Sequence, residues 1–321
     1  MSARYSAPVR VSILVATRSR PSELRRLLES LARLKFRQLD DDRAIADVVI
    51  VDNASPPEGY DSDELSSICG LDVRVVHESR TGIPFARNTA IRNRNREADA
   101  VVFIDDDVTA TPSWLEQLII AAEQHDADFV SGPSLPRIPP GASPRARAIL
   151  STLRSARPAD GTLLEHAATG NLLINTSWLD RQETWLDESF GTAGGSDIEW
   201  TARSVEQGAR LIHADRAVTW HWLSEERASL RWLVQRGYRV GFGQAERARD
   251  AGTKRSRLVR STFKELGRVV LVWIRAVLGR DSELRYAAEH RVPWISGWLA
   301  CAVGLPRPKV YRKVTSDNSG M

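Results

Sequence analysis

Two hydrophobic rhythms alternate along the first part of the chain. Largely apolar runs at Val9–Ala16, Val48–Val51 and Ala100–Ile104 predict strands covered on both faces, as in parallel sheets, and Val73–His77 predicts a shorter one. Between them the apolar positions switch to helical spacing. Leu24, Leu27, Leu28, Leu31 and Leu34 follow Pro21, a residue suited to a first helical turn. Gly82 permits a tight turn, and Pro84 can open a helix running to about Asn95. A helix at about Trp114–Gln124 and a short strand at Asp128–Ser131 complete the series. Strand, helix, strand is the parallel crossover unit, so about the first 130 residues predict one nucleotide-binding-like sheet with helices on both faces.

The pattern breaks at residues 132–158, where prolines and arginines crowd together in a segment expected to be a loop or lid. Order resumes at Thr169–Ile174, and Gly191–Gly195 reads as a mobile loop before a helix that ends near Gln207, stopped by Gly208. Short strands at Ala209–His213 and Ala217–His221 and a helix near Leu230–Arg236 follow, with no internal repeat.

The most informative chemistry lies where the fourth apolar run stops, at Asp105, Asp106 and Asp107. Side chains alternate across an extended segment, so Asp105 and Asp107 are expected to point the same way and Asp106 to the other face. Two co-directed carboxylates make a hard oxygen site suited to Mg2+ or Mn2+. The competing reading is a solvated acidic turn before the next helix.

Bulk properties narrow the class. The chain has 321 residues, 42% hydrophobic and 27% charged, which is the composition of a globular protein and not a disordered one. Cys69 and Cys301 are far apart and lack metal-type spacing, so neither a disulfide framework nor a zinc site is expected. With no apolar signal run at the start and no bilayer-length apolar stretch, the expected location is cytoplasmic, peripheral on the inner face of the plasma membrane.

Net charge is +4, but residues 251–321 hold 14 Lys and Arg against 5 Asp and Glu. The same tail contains Leu266–Leu278 and Pro293–Leu305, apolar stretches bearing Trp273, Trp294 and Trp298. Basic residues around short, Trp-bearing apolar helices suit an anionic membrane surface. Core helices or a dimer contact are the other readings of these stretches. Nucleic acid is not expected, because no recognition motif accompanies the charge.

The order of motifs resembles glycosyltransferase family 2, with the GT-A fold, over about residues 9–245. The resemblance rests on Thr17 ending the first strand, Asp52 ending the second, Gly82 followed by Ala86-Arg87-Asn88, the Asp105–Asp107 motif, Gly194-Gly195-Ser196-Asp197, and the late His221. It implies an α/β fold with a Rossmann-like, mainly parallel central sheet, plus a helical C-terminal extension. Residues 1–131 would be the nucleotide-sugar-binding half, 132–168 the Pro-rich loop or lid, 169–245 the acceptor-side half, and 246–321 a basic amphipathic helical tail.

The implied activity is metal-dependent, inverting transfer of one sugar from a nucleotide-diphosphate sugar to a hydroxyl acceptor. A lipid-linked or polysaccharide glycan in cell-envelope or exopolysaccharide assembly is the expected acceptor. By the resemblance, Asp105, Asp107 and His221 hold Mn2+ or Mg2+, and Thr17, Asp52 and Arg80 line the nucleotide pocket. Arg87 and Asn88 orient Asp105 or the ribose, Asp106 belongs with the donor-binding residues, and Asp197 is the catalytic base.

Each residue has a plainer account too. Asp52-Asn-Ala-Ser is a good Asx-turn sequence, Trp220-His221-Trp222 could be a half-buried structural stretch, and His213 is a competing histidine that reads as structural. Ser196 and Glu199 form a capping-box pattern in which Asp197 only favours a helix start, and Ser196 departs from the commoner Glu before that Asp. Gln235-Arg236-Gly237-Tyr238-Arg239 does not match the processive-synthase motif, so one sugar per encounter is expected. The alternatives are a nucleotidyltransferase on a similar sheet and an inactive membrane-peripheral scaffold. A dinucleotide oxidoreductase lacks its glycine fingerprint here.

Overall fold

The first apolar run forms strand β1, Val9–Thr17, and its alternate residues divide between two cores. In the computed structural model, residues 8–37, 44–155, 157–192, 194–250 and 252–306 are described. Helix α1 (Pro21–Leu31), β2 (Ala44–Asp52), α2 (Ser62–Cys69), β3 (Asp72–His77), α3 (Ile83–Arg92) and β4 (Ala100–Ile104) follow in order. Next come β5 (Val108–Ala110), α4 (Trp114–His125), β6 (Phe129–Ser131), β7 (Ser134–Arg137), α5 (Pro144–Ser155), β8 (Asn171–Asn175) and α6 (Thr176–Leu179). Helix α7 (Ser196–Glu206), β9 (Leu211–His213), β10 (Thr219–Trp222), α8 (Leu230–Asp250), α9 (Arg255–Leu278) and α10 (Ser282–Ala302) complete the chain.

One unit comprises residues 1–135 and 157–222. Its sheet has the order β3-β2-β1-β4-β8-β6-β9. Strands β3, β2, β1 and β4 are parallel, β8 runs against both β4 and β6, and β6 and β9 are again parallel. The register aligns Thr17 with Asp52 and Asp52 with His77, so the carboxyl ends of β1, β2 and β3 finish level. Ligand sites in open α/β sheets gather at this edge.

Strand periodicity explains the two cores. Val9, Val11, Ile13 and Val15 bury against Leu24, Leu27, Leu28 and Leu31 of α1 and Trp114, Leu115 and Leu118 of α4. On the other face Leu14, Val49 and Val51 meet Ala86, Ala90 and Ile91 of α3 and Trp200 of α7. Trp200 stands edge-on to Phe103 and Phe129, at centroid distances of 6.3 and 6.0 Å. Burying each such large side chain contributes about 1.5–3 kcal/mol.

The second unit comprises residues 136–156 and 223–321. Part of the segment expected as loop or lid is helix α5, because Ala146, Ile149 and Leu150 recur at helical spacing and bury against Leu223, Ala228 and Leu233. Helix α8 runs well past the end expected near Arg236. Gly241 and Gly297 let α8 and α10 cross closely, since a Cβ at Gly241 would collide with the Trp294 carbonyl and one at Gly297 with that of Tyr238.

The stretch after Pro293 is the C-terminal part of α10, not a separate surface helix. Trp294 and Trp298 stack at 5.2 Å, and their indole N–H groups donate to Gln244 Oε1 and the Leu258 carbonyl. Both are half-buried, packed against the small apolar clusters between the helices of this unit. No helix among the described residues is long and apolar enough to cross a membrane. Residues 1–7 and Ala193 of the glycine loop lie outside the described residues, as do Ala251 and 307–321 of the basic tail.

Trp200 is fully buried whereas Leu278 is 81% exposed. Trp200→Ala is therefore expected to destabilise by about 3–5 kcal/mol and Leu278→Ala by less than about 0.5 kcal/mol, measured by urea denaturation. Equal losses would contradict this assignment of the core.

Candidate active site

Strand β4 ends at Ile104, and the chain turns at once into β5, with the Val108 N–H donating to the Asp105 carbonyl at 3.4 Å. The alternation expected for an extended Asp105–Asp107 does not hold, because these residues form the turn. Asp106 and Asp107, not Asp105 and Asp107, share a partner: Arg20 Nη1 donates to Asp106 Oδ1 at 2.9 Å and Asp107 Oδ2 at 3.2 Å. Thr17 Oγ1 donates to the other oxygen of Asp106 at 2.9 Å. Burial pushes the Asp106 carboxyl up to about 6, opposed by Arg20 and reinforced by the charge of Asp107.

His221 reaches this turn through sheet register. Antiparallel pairing sets it opposite Val108, and the Trp222 N–H donates to the Asp107 carbonyl. His221 Nε2 then lies 3.5 Å from Asp107 Oδ2. His213 lies instead on β9 with Nε2 3.6 Å from Asp215, and burial lowers its pKa.

Asp105 belongs to a second arrangement. Arg87, on the first turns of α3, donates from Nη2 to Asp105 Oδ1 at 2.9 Å, and its Nη1 lies 3.9 Å from Asp197 Oδ2. Gly170 is what allows this approach, since a Cβ there would lie 2.5 Å from Asp105 Oδ2. The Ile198 and Thr169 N–H groups donate to the two oxygens of Asp197, at 2.9 and 3.4 Å. The capping box does not form: Gly195 is the N-cap, Ser196 makes no capping bond, and Glu199 pairs with Arg203. Ser196 Oγ and Thr169 Oγ1, on the residues that flank and bond Asp197, are buried without a hydrogen-bond partner.

Three expected donor-side residues make contacts within the protein. Asp52 is buried, and its oxygens accept the N–H groups of Ala54 and Glu58, the first of these the bond of an Asx turn. Arg80 pairs with Glu78 and Glu188 and stacks on Phe85. Asn88, one residue past Arg87 and so on a different helical face, holds the backbone of Leu186 from both amide atoms. Beside Asn88, Leu186, Glu188, Glu199 and Arg203 line a cleft of about 550 Å3.

A model of the family "Glycosyl transferase family 2" matches residues 12–174, the span from β1 through the aspartate turn to β8. The chain belongs to glycosyl transferase family 2. Within that family it is 29% identical over 234 residues to the "Succinoglycan biosynthesis protein ExoM" of Rhizobium meliloti (strain 1021), covering 72% of each chain. It is 28% identical over 279 residues to a "Pre-mycofactocin glycosyltransferase" of Mycobacterium tuberculosis, covering 84% of this chain and 53% of that one. The chain thus spans about half the length of the mycobacterial relative. In fold it matches S. aureus TarS 1–349 in complex with UDP, with a TM-score of 0.53, 17% identity and coverage of 92% and 90%. This likeness shows the α/β GT-A-like fold with its C-terminal helical region.

The family resemblance implies a divalent cation, and the donor set fits one. Asp107 and His221, with Oδ2 and Nε2 3.5 Å apart, would offer it one carboxylate oxygen and one imidazole nitrogen. Asp105 is held by Arg87 instead, and no group of three acidic, His or Cys side chains converges among the described residues.

Arg20, Gly170 and Asn53 are the contributors missed in the sequence. Asn53 accepts from the Gly82 N–H and donates to the carbonyls of Glu78 and Arg80, tying β2 to the loop before α3. Only the place of Arg20 and Asn53 just after strands hinted at these roles.

Glu78 anchors the same loop, accepting from Arg80 N, Nε and Nη2 and from Thr89 Oγ1. Hydrogen bonding to Arg80 holds its carboxyl down at about 2 from an ordinary 4.5. The folded state therefore binds fewer protons than the unfolded chain between those values. The resulting stability is complete above about pH 4.5 and is lost as pH falls toward about 2. Glu78→Gln should flatten the fall in melting temperature from about pH 5 to 3, read by scanning fluorimetry. An unchanged slope would remove Glu78 as a source of acid sensitivity.

Proposed function

We propose that this family 2 glycosyltransferase moves one sugar from a nucleotide-diphosphate sugar to an acceptor hydroxyl with inversion at the anomeric carbon. Arg87 reaching both Asp105 and Asp197 is the observation that carries the reading, because it sets a carboxylate base beside the aspartate turn. In the step, the acceptor oxygen attacks the anomeric carbon, whose bond to the diphosphate oxygen breaks. The bonding pair leaves on the diphosphate, and the acceptor proton passes to an oxygen of Asp197. Asp107 and His221 would hold Mn2+ or Mg2+, which supplies Lewis-acid stabilisation of the leaving diphosphate.

The remaining residues prepare this geometry. Arg20 fixes Asp106 and Asp107, and Thr17 fixes Asp106 from β1. The level ends of β1, β2 and β3 support a nucleoside seat there, with Asp52 ordering residues 54–58 at its rim. Ser196 Oγ and Thr169 Oγ1 are buried hydroxyls available for hydrogen bonds at the Asp197 end. With a single base and no second carboxylate assigned as a nucleophile, direct displacement is the simpler course. The part that the Rhizobium relative's name gives it, in succinoglycan biosynthesis, supports a lipid-linked or polysaccharide glycan of exopolysaccharide or envelope assembly as acceptor.

Two variants separate the parts of this reading. Asp107→Ala should lower Mn2+-dependent affinity for one of UDP, GDP or dTDP at least about tenfold by calorimetry, since phosphate-bridging metal stabilisation is worth several kcal/mol. Asp197→Asn should bind the same diphosphate normally yet transfer sugar about 10²–10⁴-fold more slowly. Metal-independent binding, or full turnover by Asp197→Asn, would count against the proposed roles.

A further inference from the structure

Helix α9 carries its apolar residues on the wrong side for a core helix. Leu258, Thr262, Val269 and Ala276 are its buried positions, all on one face. Phe263, Val270, Ile274 and Val277 lie about 85–145° round the helix from that face at 66, 47, 44 and 43% exposure, and Leu271 and Leu278 lie opposite it at 69 and 81%. An apolar stripe continuous over several turns and turned to solvent marks an interaction surface.

Charge identifies what the stripe meets. At 100° per residue, Arg257, Lys264, Arg268 and Arg275 project along one line at the edge of the stripe, and all four are exposed. Glu265 is the one acidic residue in the sequence of α9, and it is engaged by Arg268 at 2.6 Å and by Arg291 of α10 at 3.6 Å. Trp273, 42% exposed, sits at the other margin of the stripe with its indole N–H toward Glu289. An apolar face bordered by a basic rail, with a tryptophan at its edge, has the form of a helix lying in a lipid interface.

We propose that this face of α9 seats on an anionic membrane surface, the aliphatic stripe entering the headgroup region and the basic rail meeting lipid phosphates. A second copy of the chain is the poorer occupant, because an antiparallel two-fold contact through the same stripe would bring like-charged rails together, and a parallel one would set each rail against the partner's Trp273 margin, which offers no acidic residue of α9. The proposal goes beyond the transferase reading and does not rest on it, so binding is measured without donor or acceptor.

The test is flotation of the full chain with vesicles of phosphatidylcholine alone or mixed with phosphatidylglycerol. The native protein should float with the mixed vesicles and remain below with the neutral ones. Since each basic residue near an anionic surface is worth about fivefold in binding, Lys264→Glu with Arg275→Glu should weaken it by at least about 25-fold. Leu271→Asp with Ile274→Asp should abolish flotation while leaving the melting temperature unchanged, because both side chains are exposed. Brominated lipid should quench Trp273, read as the quenching lost in Trp273→Phe. Equal flotation with both vesicles, none with either, or a solution dimer that the Leu271→Asp, Ile274→Asp pair dissociates would each overturn the proposal.

Discussion

Three consecutive carboxylates at the end of a buried strand repel one another, and the surroundings of the candidate site are arranged to hold them together. Two like charges about 4 Å apart cost about 4 kcal/mol at a surface-like effective dielectric. Arg20 answers Asp106 and Asp107, Arg87 answers Asp105, and His221 stands beside Asp107. Each of these partners arrives from a different place: the turn between β1 and α1, the start of α3 and strand β10. The turn after β4 therefore draws distant parts of the sheet into one place. Gly170 fits the same account, since a side chain there would push Asp105 off Arg87.

Much of this was legible because it is local. The apolar runs gave the strands, Pro21 and Pro84 marked helix starts, and Thr17, Asp52 and Asp105–Asp107 fell at strand ends as expected. What stayed hidden depends on partners distant in sequence. Nothing local says that Arg20 reaches across 86 residues to Asp106, or that Asn88 holds a backbone 98 residues away. The expected alternation at Asp105–Asp107 failed for a related reason. It assumes an extended chain, and a turn after Ile104 instead sends Asp105 to Arg87 and both Asp106 and Asp107 to Arg20.

The two apolar, Trp-bearing stretches of the tail show the same limit from another side. Their compositions are alike, yet Pro293–Leu305 supplies the packed end of α10 and Leu266–Leu278 the exposed half of α9. The difference lies in Gly241 and Gly297, which permit the close α8–α10 crossing against which Trp294 and Trp298 are half-buried and hydrogen-bonded. Composition alone cannot separate a helix that buries its tryptophans from one that displays them. Only the packing partner does, and periodicity then identifies which face is left over.

Arg87 is the residue in which scaffold and chemistry meet. Its guanidinium is a planar fork, so one side chain donates to Asp105 with one nitrogen while the other stands 3.9 Å from Asp197, a cation facing two carboxylates from different elements at once. A lysine in its place would bring a single point charge and could satisfy one of them well. The side chain is 10% exposed, so its charge acts with little screening by water. Asn88, next to it on α3, anchors the Leu186 backbone, and that contact steadies the helix start from which Arg87 projects. The Arg-Asn pair thus divides the work, one residue holding charged groups and the other holding the loop beside them.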